Sequence, residues 1–189
     1  VGEIILAFQK KDPRIVVIKN EKNLGFVKSL NRGISKSQGE YIARLDDDDV
    51  WCDEKKIEKQ IHFLQAHPEC VLVGGAMIKI NTKREQTIQY IFPQSDHDIK
   101  KVILIDNVFA HSAVVFRKDA ALRAHGYDER FGFFADRELW LRLGTLGTLY
   151  NFKEYFIYYL DKEDSALGYE GRNNYIRRKL RLNIELRAK

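Results

Sequence analysis

The sequence predicts an α/β layer fold with its sheet covered on both faces, and three observations predict it. Apolar runs of strand length alternate with stretches whose apolar residues recur at helical spacing. The run Ile15-Val16-Val17-Ile18 is continuously apolar, as in a strand buried on both sides. The run Tyr41-Ile42-Ala43-Arg44-Leu45 ends abruptly in the carboxylates Asp46, Asp47, Asp48 and Asp49. Open α/β sheets bind ligands beyond the carboxyl ends of their strands, so acids placed there face a crevice and not the core.

The elements follow in order. Residues about 2–10 read as a helix with Ile5 and Phe8 inward, stopped by Asp12-Pro13 because proline cannot continue it. Arg14–Lys19 reads as a strand, and Asn20–Gly25 as a polar turn. Val27, Leu30 and Ile34 mark a helix from about Phe26 to Ser37, ended by Gly39. Beyond the acidic run, Ile57, Ile61 and Leu64 mark another helix, stopped at His67-Pro68. Val71–Ile80 is strand-like, with Gln86–Phe92 as its partner after a turn at Asn81–Glu85. A helix near Asp96–Ile105, a strand at Ala113–Phe116 and a short helix near Asp119–Ala124 come next. Asp136–Gly144 is helical, Tyr155–Leu160 a strand, and about 172–188 a terminal helix. No repeat, linker or low-complexity stretch divides the chain, so residues 1–189 read as a single domain.

Composition narrows the class. Apolar residues at 44% and charged residues at 31% of 189 are ordinary for a globular protein with a sizeable core. No apolar run reaches the ~18 residues of a membrane span. Cys52 and Cys70 form no disulfide-like pattern, which fits a reducing compartment, so a cytoplasmic location is expected. The net charge of +5 hints at anionic partners without choosing among nucleotides, nucleic acid and lipid headgroups. Val1-Gly2-Glu3-Ile4-Ile5-Leu6 has neither an initiator Met nor a signal-peptide pattern and reads as mid-helix, so the expectation is a sequence cut from a longer chain.

Four adjacent carboxylates repel one another, and a hard divalent cation with oxygen ligands would remove that cost. Mg²⁺ or Mn²⁺ typically takes one or two carboxylates and completes its shell with water and substrate phosphate. In an extended segment Asp46 and Asp48 share one face while Asp47 and Asp49 point away, which favours the first pair as ligands. The run can also be a solvated acidic loop that caps the helix beginning near Asp53.

Other constellations line up with the run. Asn23-Leu24-Gly25, Leu30-Asn31-Arg32-Gly33 and Gly39-Glu40-Tyr41-Ile42 precede it; His111-Ser112, Gly126-Tyr127-Asp128-Glu129 and Ala135-Asp136-Arg137-Glu138-Leu139-Trp140-Leu141-Arg142 follow it. This order resembles the family-2 glycosyltransferases of the GT-A fold, whose hallmark is this series ending in a Glu-Asp pair and a Leu-Trp-Leu-Arg-like helix. The resemblance implies a mixed, mainly parallel central sheet, here missing its first strands and half of the nucleotide pocket. It implies transfer of a sugar from a nucleotide-diphospho-sugar to a carbohydrate or lipid-linked acceptor hydroxyl with inversion, in polysaccharide or glycoconjugate synthesis.

Residue by residue, the resemblance puts Asp46 and Asp48 on a Mn²⁺ or Mg²⁺ ion, with Asp46 also approaching the donor. Asp161 falls nearest the family's late third ligand, a His that this sequence lacks. Lys28 and Asn31 lie on the helix turned toward the nucleotide-sugar, although Lys28 can equally be a solvated residue and Asn31 a local cap. His111 matches an acceptor-side position, with a structural role as its alternative. Asp136 matches the general base, with helix capping as the alternative, and Ala135 departs from the family by replacing Glu.

The tail from Tyr175 to Lys189 has a broad apolar face opposite Arg177, Arg178 and Arg181. Docking on the domain, pairing in a homodimer and peripheral contact with the inner face of a membrane are all open to it. The alternatives to an enzyme are a noncatalytic sugar-nucleotide-binding or protein-binding domain and a nucleic-acid-binding module. The last is disfavoured because the acidic run repels phosphates, so no nucleic acid is expected as partner.

Overall fold

The computed structural model describes residues 2–161, so the expected helix over about 172–188 lies outside the described residues. The elements run α1 (Gly2–Lys11), α2 (Phe26–Lys36), β1 (Tyr41–Ala43), β2 (Val50–Trp51), α3 (Lys56–Ala66), β3 (Cys70–Ile80), β4 (Gln86–Tyr90) and α4 (Asp96–Val102). A 3-10 turn at His111–Ala113, β5 (Val115–Arg117), α5 (Lys118–Arg123), a second 3-10 stretch at Glu129–Phe134, α6 (Ala135–Leu146) and β6 (Thr148–Leu160) follow.

The strands form one sheet in the order β1-β5-β3-β6-β2, with β4 also paired to β3. Its spine is the parallel pair β3 and β6, which runs from Cys70 against Thr148 to Ile80 against Leu160 with register shifts after Cys70 and around Ala76. The other pairings among the described residues are antiparallel. The sheet is therefore mixed, as expected, with a long parallel pair at its centre and shorter antiparallel pairings around it. A tight turn after Ile80 folds β4 back on β3, and short strands reverse onto the ends of the spine.

Side chains alternate across the sheet and build a core on each face. Leu72 and Phe116 meet α2, α4, α5 and α6 on one side through Val27, Ile34, Ile99, Ala120, Leu139, Trp140 and Leu143. Val73 and Val115 meet Leu64 of α3 on the other. Gly74 and Gly75 are needed in β3 because a Cβ on Gly74 would collide with Asn151 and Phe109, and one on Gly75 with Phe156. Trp140 is fully buried and touches Phe109, His111, Phe116 and Tyr127, so one indole ties α6 to the loops that enter the crevice.

Several expectations need correction. Arg14–Lys19 is not a strand: no strand pairs with it among the described residues, and Val16 is 70% exposed. Without a ladder its backbone has no reason to stay extended. Ile5 and Phe8 are exposed rather than inward, since α1 buries no side chain. The inward register of α3 is Lys56, Gln60 and Leu64, with Ile57 and Ile61 only partly buried. β6 begins at Thr148, not Tyr155, because buried Asn151 and exposed Lys153 interrupt its apolar pattern.

Replacing Trp140 by Ala should cost about 3–5 kcal/mol, the usual range for removing a large buried ring. Urea unfolding monitored by circular dichroism measures this, and a loss below about 1 kcal/mol would show that the crevice loops do not depend on the indole.

Candidate active site

The acidic run follows the carboxyl end of β1, where an α/β sheet opens its ligand crevice. The run is not extended. Asp47 and Asp48 make a turn that lets Val50 and Trp51 pair antiparallel with Tyr158 and Ile157 of β6. The expected alternation therefore fails at Asp49, which is buried rather than pointing away and accepts a hydrogen bond from the Leu160 amide at 3.3 Å. Burial pushes its carboxyl up to about 6, with Asp46 and Asp48 adding to the push.

Asp46 is held more firmly than its neighbours. Its amide donates to Ser112 Oγ at 3.0 Å, the Ser112 hydroxyl donates to Asp46 Oδ2 at 3.3 Å, and the Arg44 guanidinium pairs with Oδ1. Asp47 and Asp48 are exposed. Asp161, just past β6, pairs with Lys79 at 3.2 Å. The Tyr159 hydroxyl, raised by burial, also feels Asp49, Asp161, Asp48 and Asp46, so these carboxylates share one patch of field.

These hard oxygen donors suit Mg²⁺ or Mn²⁺. No three His, Cys, Asp or Glu side chains converge as a ready-made metal set among the described residues. Asp46 and Asp48 thus fit a cation that completes its shell with a bound diphosphate, and not a self-contained ion site.

Asp136 stands at the start of α6. Its Oδ1 accepts the Arg137 amide at 2.7 Å, and its Oδ2 accepts from Asn107 Nδ2 at 2.7 Å. Burial raises it to about 6, against these two bonds and with a smaller push from Asp46. Asp46 is thus near enough for its charge to act on Asp136. His111 has its Nε2 2.9 Å from the Tyr127 hydroxyl and its Nδ1 3.7 Å from Asp46 Oδ2. Burial, with Arg44 nearby, drops His111 to about 3, so it is neutral at physiological pH.

The other expected site residues are placed differently. Asn31 spends its amide on Tyr127: Nδ2 donates to the carbonyl at 2.8 Å and Oδ1 accepts the amide N–H at 2.7 Å. It ties α2 to the loop before the second 3-10 stretch, and Gly126 (φ 67°) must be Gly because a Cβ would strike Asn31. Lys28 is half exposed and pairs with Glu129 at 3.4 Å.

Sequence reasoning missed three supports. Asn107 was in no motif. Ser112 was noted only as the partner of His111, although its hydroxyl fixes the acidic run. Lys56 and Gln60 brace the crevice from below: Lys56 Nζ lies 4.5 Å from the Trp51 ring and donates to Gln60 Oε1 at 2.8 Å, while Gln60 Nε2 donates to the Ala113 carbonyl at 2.8 Å. Burial pulls the Lys56 ammonium down to about 7. A signal for this pair existed, since Lys56, Gln60 and Leu64 recur at i, i+4 and i+8 on one helix face.

Comparison with known proteins shows the family and the fold. The family model described as glycosyl transferase family 2 matches residues 1–124. The amylovoran biosynthesis glycosyltransferase AmsE of Erwinia amylovora is 38% identical over 133 residues, 70% of this chain and 49% of that protein. The O-antigen biosynthesis glycosyltransferase WbnJ of Escherichia coli is 31% identical over 115 residues, 61% of this chain and 44% of that protein. The chain thus spans about half the length of the curated relatives it matches. Among solved structures, residues 1–349 of S. aureus TarS superpose with a TM-score of 0.60 at 13% identity, over 82% of this chain and 47% of that one. The mannosyltransferase PcManGT of Pyrobaculum calidifontis, solved with GDP-Man and Mn²⁺, does so at 0.58 and 13%, over 94% and 47%. The structural likeness shows the GT-A fold, and on the sequence match the chain belongs to glycosyl transferase family 2.

Proposed function

We propose that this chain carries the reaction centre of an inverting glycosyltransferase that moves a sugar from a nucleotide-diphospho-sugar to an acceptor hydroxyl. The observation that carries the reading is the pairing of two differently prepared carboxylates on one crevice. Asp46 is ion-paired and anchored beside exposed Asp48, whereas Asp136 is desolvated and raised to about 6. Such a split between neighbouring acids suits one for charge neutralisation and the other for proton transfer.

Asp46 and Asp48 would hold the donor diphosphate through a divalent cation, with Asp161 as a third carboxylate of the same patch once freed from Lys79. Bound there, the cation would supply stabilisation of the leaving diphosphate's charge. Asp136 accepts the proton of the acceptor hydroxyl, whose oxygen forms its bond to the anomeric carbon as the bond to the diphosphate breaks. Attack from the side of Asp136, opposite the diphosphate, inverts the anomeric configuration. Ala135, where relatives of this kind carry a carboxylate, leaves Asp136 as the acid of that position. His111, neutral and bonded to Tyr127, shapes the wall between the two carboxylates; Asn31 acts through Tyr127, and Lys28 stays at the rim. The relatives' roles in amylovoran and O-antigen biosynthesis support a carbohydrate acceptor in polysaccharide synthesis. A nucleotide-sugar donor fits the cytoplasm, and no described helix is long and apolar enough to cross a membrane.

Two outcomes test this. Release of nucleoside diphosphate from a panel of uridine, guanosine and thymidine diphospho-sugars should require Asp136, with Asp136→Asn lowering kcat by about 10²–10⁴-fold. The acid limb of wild-type kcat should lie near pH 6, since Asp136 is an effective base only when ionised and loses activity as pH falls through its raised value. Retention of kcat within a few-fold in Asp136→Asn would contradict the base assignment, and no turnover with any donor would favour a noncatalytic binding domain.

Calorimetric titration with Mn²⁺ should show weak binding alone and at least tenfold tighter binding with uridine or guanosine diphosphate, because each ligand must strengthen the other reciprocally. Asp46→Ala or Asp48→Ala should abolish that coupling. Equal Mn²⁺ affinity with and without nucleotide would mean an isolated ion site.

A further inference from the structure

We propose that Asn107 is the positioning residue for Asp136, orienting its carboxylate toward the acceptor hydroxyl. The proposal rests on reading Asp136 as the base, and its test has a readout independent of that reading. Asn107 lies in the loop between α4 and the His111–Ala113 turn, outside every recognised motif.

The direction of its amide follows from chemistry. The Phe109 backbone N–H, which can only donate, points at Asn107 Oδ1 over 3.2 Å. The carbonyl end is thereby assigned, and the NH₂ end faces Asp136 Oδ2 at 2.7 Å. With Oδ1 held by the Arg137 amide, both oxygens of Asp136 are fixed from the protein side.

The loop itself has little freedom. Asn151, fully buried in β6, donates to the carbonyls of Val108 at 2.9 Å and Pro93 at 3.0 Å. Val108 and Phe109 are buried in the core, and Arg137 Nε donates to the Ile103 carbonyl at 2.7 Å. A group so held keeps its partner's rotamer as well as its charge state.

An NH₂ group favours the ionised carboxylate and so counters burial. Among the titratable groups near Asp136, Asp46 pushes it up, and the Tyr127 hydroxyl is kept neutral by burial. Asn107 is the neighbouring side chain that pulls the other way.

The test is a ¹³C carboxyl titration of Asp-labelled protein, wild type against Asn107→Ala and the near-isosteric Asn107→Asp, with kcat–pH profiles in parallel. Asn107→Ala should move the Asp136 midpoint upward and the acid limb of kcat with it, lower kcat at neutral pH by about 10–100-fold, and leave KM for the donor within about threefold. Asn107→Asp, placing a second carboxylate against the first, should shift the midpoint further. An unchanged Asp136 midpoint in both folded variants, or a loss of thermal stability with no change in it, would overturn the proposal. Should Asp136→Asn stay active, the base reading alone fails, and the titration still decides whether Asn107 holds the carboxylate.

Discussion

The crevice depends on the burial of one short segment, residues 107–113, between two carboxylates. Asn107 at its start bonds Asp136, and Ser112 near its end bonds Asp46 by both backbone and side chain. The spacing between the two acids is therefore set by a stretch of backbone that can move only if the core moves. Beneath it, Gly74 lets Asn151 and Phe109 approach β3, and Gln60 reaches the Ala113 carbonyl from the opposite face of the sheet. Trp140 closes the arrangement by packing on Phe109, His111 and Tyr127 together. Interiors packed at crystal-like density pass such constraints to the surface with little slack.

Electrostatics divides the labour within that frame. Asp46 keeps Arg44 as its counter-ion beside exposed Asp48, so its charge is already balanced before any ligand arrives. A cation on Asp46 must compete with the guanidinium, which explains why affinity should rest on a diphosphate partner. Asp136 lies out of water with hydrogen bonds and, among the described residues, no salt bridge, which lifts it toward neutral pH while leaving it ionised there. His111, 3.7 Å from Asp46 Oδ2, is too buried to carry charge, so it does not neutralise that acid.

The helices at Phe26–Lys36, Lys56–Ala66 and Ala135–Leu146 and the long strand Cys70–Ile80 were legible because their apolar spacing or apolar run reflects packing against a neighbour. The strand expected at Arg14–Lys19 was not, since a continuous apolar run reports hydrophobicity and not the presence of a partner. The start of β6 was hidden by Asn151, a polar residue whose buried amide answers to the carbonyls of distant loops. In the site, Asp46, Asp48 and Asp136 were singled out by resemblance and order, and their roles are part of the proposed function. The turn at Asp47-Asp48 was not, because four identical residues carry no punctuation. Asn107 and Ser112 act through geometry between segments far apart in sequence, and no local pattern announces that.

In the proposed function, Asp46, Asp48 and Asp136 border one site. Paramagnetic broadening of ¹³C-labelled aspartate carboxyls by Mn²⁺, added with uridine or guanosine diphosphate, measures this directly. The account predicts the strongest broadening at Asp46 and Asp48, clear broadening at Asp136, and none at Asp119, which follows β5 beside the opposite end of β1. Broadening that spared Asp136, or that required no nucleotide, would contradict it.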